Sequence, residues 1–199
     1  MSDTAQAWVR WVVAGVSGAL ERAEPKTRSD VDVIQFLRDP IDQDYRHVVT
    51  EVSWNTERHL REVQAIAASP AERASMEWRS DAYAERSALE LGDPVRDPEG
   101  AGHLEQFVRS IGLWYADGEP MPPLHELELW DAHSDSLVHA AEILHGEGIL
   151  ERLIGHDVPL FLNDNLNGPE DLQKLNRRAN PPRFYERLDR WSLTWHAYE

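Results

Sequence analysis

His139, Glu142 and His145 come nearest, by type and spacing, to a metal-binding arrangement. An acid and a histidine at i, i+3 lie over one patch of a helix, and di-iron carboxylate bundles use two such pairs facing inward from different helices. The only other acid-x-x-His pair is Asp44 and His47, on an expected turn and strand rather than a second helix. The run His125-Glu126-Leu127-Glu128-Leu129 begins like the two-histidine zinc helix, but Leu129 stands where the second histidine is needed. Asn163 to Gly168 has the rhythm of a calcium loop. Its first ligand would be a neutral Asn, its seventh position is Pro169, and Lys174 replaces the bidentate acid, so a turn with a helix cap explains it better. A loop leaving the end of a strand is still a common place for a site, which makes His156, Asp157 and Asp164 a candidate acid/base cluster.

Other templates fail. There is no Gly-x-Ser-x-Gly elbow and no phosphate-cradling glycine loop with lysine, and Gly15-Val16-Ser17-Gly18 follows no strand as a dinucleotide fingerprint must. The absence of cysteine removes disulfides, thiolate metal sites and thiol nucleophiles, and makes the cytoplasm the expected compartment. No cofactor is implied.

Charge carries more information than motif. The 199 residues hold 36 acids and 20 Lys or Arg, a formal charge of −16, which repels a polyanion and argues against nucleic acid. Ser110 to Glu151 is a run of 42 residues without Lys or Arg that carries nine acids and four histidines. Downstream, Leu172 to Trp191 carries six basic residues, of which Arg183, Arg187 and Arg190 form a helical stripe that could cover the acidic run. Trp8 to Leu20 is too short and too broken by glycine and serine for a membrane span or a signal peptide, so no membrane partner is expected.

The elements that must position these groups follow from periodicity. Ala5, Trp8, Val9, Val12, Val13, Val16 and Leu20 predict a first helix near Asp3 to Glu24, docked on the core and ended by Pro25. Val31 to Leu37 and His47 to Trp54 read as neighbouring strands turned at Arg38-Asp39-Pro40 and an acidic loop. Thr56 can cap a helix reaching about Ala67 with Leu60, Val63 and Ile66 on one side. Met76 to Trp78 reads as a strand or short helix, and residues 92–103 as a surface loop.

Leu127, Trp130, Ser134, Leu137, Ala141 and Leu144 recur by threes and fours, predicting a helix from about Leu124 to His145 with one apolar stripe. Asp135, His139, Glu142 and His145 fall away from it, on the solvated side. A short helix at Leu150 to Ile154, a buried strand at Val158 to Leu162, a helix starting at Pro169 and a last helix after Pro181-Pro182 complete the chain. The mixture without strict alternation predicts a single α+β domain, its small, mostly antiparallel sheet packed against several helices. Eight tryptophans are many; Trp8, Trp130 and Trp191 belong to expected core stripes, whereas Trp54, Trp114 and Trp195 are candidates to anchor a partner.

The order of these features resembles the bacterial family described as domain of unknown function 4303. The motifs are Trp54-Asn55-Thr56-Glu57 entering a helix, Met76-Glu77-Trp78, the helix end Leu144-His145-Gly146-Glu147-Gly148, the strand into Asn163-Asp164, and Arg177-Arg178-Ala179-Asn180-Pro181-Pro182. The resemblance spans most of the chain. It implies a cytosolic α+β domain linked to toxin–immunity repertoires and transfers no catalytic residue.

The expected function is therefore binding, more than catalysis: an acidic domain, in its immunity-type form masking a basic toxin or other basic protein partner. Glu126, Glu128, Asp131, Asp135, Glu142 and Trp114 are the expected contacts. The alternative is a small metal-dependent or acid/base enzyme using the histidine-rich helix or the Asp164 loop.

Overall fold

A hairpin of two long strands forms the centre of the molecule, and its turn is where steric rules are most exacting. The computed structural model describes residues 3–66, 89–119, 122, 124–164 and 168–194. Strand β1 (Val31–Ile41) pairs antiparallel with β2 (Asp44–Thr56), and Asp42 and Gln43 turn between them with φ of 51° and 62°. Two successive left-handed residues match the twist of a tight hairpin, and Asp tolerates that region better than bulky residues do. The expected turn at Arg38-Asp39-Pro40 is instead strand: Arg38 opposes Thr50, Asp39 opposes Val49, and Pro40 opposes Val48 beside a register irregularity that accommodates its missing N–H.

The sheet order is β3-β2-β1-β4. The short strand β3 (Leu89–Leu91) joins β2 antiparallel, and β4 (Leu160–Asp164) joins β1 parallel. Helices α1 (Asp3–Arg22), α2 (Pro25–Arg28) and α3 (Glu57–Ile66) belong to the first half of the chain. Then come α4 (Pro98–Ser110), α5 (His125–Gly146), α6 (Ile149–Ile154), α7 (Pro169–Ala179) and α8 (Tyr185–Thr194), the last preceded by a 3-10 turn at Pro182–Phe184. This is a single α+β arrangement. Thr56 caps α3 as expected, its hydroxyl accepting from His59 N at 3.3 Å. Met76 to Trp78 and Trp195 lie outside the described residues.

Strand side chains alternate between faces, so each face can be read separately. Ile34 and Phe36 of β1, Val48 and Val52 of β2, Leu91 of β3 and Leu160 and Leu162 of β4 pack in one core with Trp8 and Val12 of α1 and Leu137 and Leu144 of α5. On the opposite face Val33 and Phe161 meet Leu172 of α7 and Leu188 and Trp191 of α8 in a second, smaller core.

The outer edge of β4 is closed without a strand. Asn176 and Asn180 stand one turn apart on and just after α7. Asn176 accepts from Leu162 N (2.8 Å) and donates to Leu162 O (2.9 Å); Asn180 does the same for Leu160 (2.8 and 2.7 Å). Two side-chain amides thus satisfy the backbone groups that an edge strand otherwise leaves open.

The expected loop at residues 92–103 is half helix, because Asp97 organises it. Its carboxylate accepts from Gly92 N (2.9 Å), from Gly100 N (3.2 Å) as the N-cap of α4, and from the Trp11 indole (3.0 Å). Gly92 has φ +80°, and a Cβ there would stand 2.9 Å from Val48 O, so only glycine fits the turn.

Candidate functional site

Helix α5 carries most of the residues singled out from the sequence, and its burial sorts them. Trp130, Ser134, Leu137, Ala141 and Leu144 are buried, as the threes-and-fours spacing predicts, and His133, which that stripe did not include, is buried with them. Leu127 breaks the pattern: it is 63% exposed, next to Leu124 at 70%. Glu128, Asp131, Asp135 and Glu142 form the exposed side. Of these, Asp135 is bound by Arg178 of α7 at 2.7 Å, and Glu142 by His139 Nδ1 at 3.0 Å. Glu126 takes the hydroxyl hydrogen bond of Tyr45, whose phenol is pushed above its usual range by burial and then by that carboxylate. Glu126 and Glu128 sit in the first turn, where they also offset the helix dipole.

Arg183 and Arg187 of the expected arginine stripe go elsewhere than to these acids. Arg183 pairs with Asp157, and Arg187 pairs with Asp32 through Nη1 at 3.0 Å and through Nη2. Arg177 reaches Asp189 at 2.9 Å through Nε. Among the arginines of the basic segment with described ion pairs, only Arg178 lies against α5's acidic side.

Trp114 is half-buried and already engaged. Arg109 lies 4.0 Å from the Trp114 ring centre and Arg46 5.1 Å, with His47 edge-on at 5.6 Å. Arg46 also binds Asp44 at 2.6 Å and donates to Tyr115 O at 2.6 Å. Burial acts to raise the Asp44 carboxyl, but hydrogen bonds from Arg46 outweigh it and hold the group below its usual range. Trp114 therefore anchors the segment after α4 to β2, and the Asp44–His47 pair belongs to the same structural cluster. Trp54 packs half-buried against the main core.

The three candidate metal ligands do not converge on one point. His139 and Glu142 face solvent, whereas the His145 side chain is 7% exposed and turned toward the loop after α6. Its Nδ1 donates to Asp157 at 2.8 Å, and its Nε2 lies 3.3 Å from Asn180 Oδ1. The spacing-based placement of His145 on the solvated side is corrected by this partner from outside the helix. Among the described residues, no three His, Asp or Glu side chains are placed to hold a metal ion.

The acid/base cluster is likewise divided. His156 Nε2 donates to Val31 O at 3.0 Å, and Asp157 is held between His145 and Arg183. Asp164 is at the far end of β4, and that five-residue strand alone spans about 13 Å. His133 is strongly perturbed by burial. At 2% exposure it donates from Nε2 to Tyr45 O at 3.0 Å, and burial, opposed in part by that bond and aided by Arg38, lowers its pKa to about 4. It is a neutral core histidine.

The sequence reading missed a groove of about 440 Å³ at the hairpin end of the sheet, on the face away from α5. Asp39, Glu51 and Glu90 supply carboxylates from three adjacent strands and Asp93 a fourth from the turn after β3; Pro40, Ile41, Val49 and Val95 supply apolar surface. Glu51 and Glu90 are direct cross-strand partners. Burial, then Glu90, then Asp39 raise the Glu51 carboxyl above its usual range, against a smaller opposing effect of Arg96. Arg96 is paired with Glu90. Asp93 serves the local turn, accepting from Val95 N at 2.7 Å and Arg96 N at 2.8 Å.

No protein-family model, curated protein or solved structure matches the chain. The geometry therefore bears the functional argument, together with one negative: no helix among the described residues is long and apolar enough to cross a membrane.

Proposed function

We propose that this chain is a binding domain whose acidic α5 surface recognises a basic protein partner. The observation that carries the reading is the destination of the arginines: Arg183 and Arg187 are tied to Asp157 and Asp32, which leaves Glu128 and Asp131 exposed without a Lys or Arg partner among the described residues. A one-signed exposed surface speeds encounter with a partner of opposite charge and selects against others. Leu124 and Leu127 beside these acids add the apolar contact that charge alone lacks. The immunity-type case, in which the basic surface is a toxin's, makes the same chemical demand. An enzymatic reading has less support, since His145 turns away from the His139–Glu142 pair, and Asp157 precedes β4 whereas Asp164 ends it.

Selection from a displayed library of random peptides tests this. Enriched sequences should be rich in Arg and Lys. Their affinity should fall at least about tenfold when Glu126, Glu128, Asp131 and Asp135 are replaced together by Gln and Asn. Enrichment without basic residues, or binding that survives the quadruple substitution, would reject the proposal.

A further inference from the structure

The groove on the opposite face of the sheet pairs apolar lining with carboxylates that the fold itself leaves crowded. Val49 and Ile41 line it, and Val95 stands 88% exposed at its edge, so it offers contact surface to methylene groups. Its volume of about 440 Å³ falls within the range of small-ligand pockets. Its charge is one-sided, with Asp39, Glu51, Glu90 and Asp93 against the single lining cation Arg96, which is held by Glu90.

The register makes that imbalance costly. Like charges directly opposite each other on neighbouring strands destabilise a sheet, and Glu51 faces Glu90 in this way while lying half-buried. A cation arriving beside Glu51 relieves the crowding, and one borne on a long apolar stem also covers Val49 and Val95. Arginine suits both halves, because its planar fork can engage more than one carboxylate oxygen and its stem is three methylenes long.

We propose that this groove receives an arginine side chain presented by a partner polypeptide, with its guanidinium directed to Glu51 and Asp39 and its methylenes against Val49 and Val95. The site is separate from the α5 surface and does not depend on the function assigned to that helix. Its acids also create a trade between stability and binding: the substitution that removes recognition relieves repulsion in the free protein.

The test is an amide NMR titration of the whole chain with N-acetyl-arginine amide, using N-acetyl-citrulline amide as the neutral isostere. Saturable shifts at Val49, Glu51, Glu90 and Val95 are expected with the arginine probe and not with citrulline. Glu51→Gln should weaken the arginine probe about tenfold. The same substitution should raise the thermal midpoint by about 2 °C, which shows that the variant is folded. Glu128→Gln with Asp131→Asn should leave the titration unchanged even though it weakens basic peptides at α5. No saturable shift, equal shifts with citrulline, or unchanged binding by Glu51→Gln would overturn the proposal, and none of these would touch the α5 reading.

Discussion

The two acidic regions of this protein hold similar charge at different cost. On α5 the exposed acids are spaced along a helix, Glu128 complements its dipole, and Asp135 has Arg178 beside it. In the groove, carboxylates from three adjacent strands are fixed by register, two of them face to face, with one arginine to share. Acids three and four apart on a helix are also neighbours and repel by a few tenths of a kcal/mol, but on α5 they stand exposed to water, whereas Glu51 is half-buried against its cross-strand partner. Net charge alone therefore says little about which acids are under strain.

Acid is the strongest way to separate the two sides. His133, on the buried side of α5, has a folded pKa of about 4 against an ordinary 6.5. A depressed histidine contributes stability that is fully present above the unfolded value and is lost as pH falls toward the folded one. The expected loss between pH 6.5 and pH 4 is about 3 kcal/mol. Chemical denaturation at both pH values should show that this increment disappears in His133→Gln; an unchanged pH slope would mean that the histidine is not held neutral.

Glu51 responds with the opposite sign. Its folded pKa is raised, so its favourable contribution is present below the ordinary value of 4.5 and is lost as pH rises through the folded value. Glu51→Gln should therefore stabilise the protein at pH 7 by about 0.5 kcal/mol, and the gain should shrink in acid. Equal stability of the two proteins at pH 7 would remove the contrast between the regions. The smallest effect belongs to α5, where Glu128→Gln with Asp131→Asn should shift stability by less than about 0.5 kcal/mol. Matching denaturation midpoints would confirm that these acids serve something other than the fold, and a large shift would break the comparison from the other side.

Much of α5 was legible because a helix obeys its own period. The spacing of Trp130, Leu137 and Leu144 identified the buried side. Leu127 continued that spacing yet remains exposed, since periodicity reports what a helix offers and not how far its neighbours extend. His145 escaped for the complementary reason: its partner Asp157 comes from a loop 12 residues further on, after an intervening helix. The groove was hidden more deeply. Glu51 meets Glu90 only because the hairpin turns at Asp42 and Gln43, and a turn placed at Arg38 to Pro40 assigns every cross-strand partner differently. Strand β3, three residues long in a polar stretch, left no alternation to read. The mixed α+β class survived these errors because it rests on the order of elements rather than on their register.

The amides of Asn176 and Asn180 give the sheet a polarity of growth. Because they occupy the backbone of β4 as a neighbouring strand would, another chain cannot add there without first displacing a packed helix. Among the described strands β3 forms the other margin, next to Glu90 and the groove, so the sheet ends at β4 on a boundary made of side chains alone.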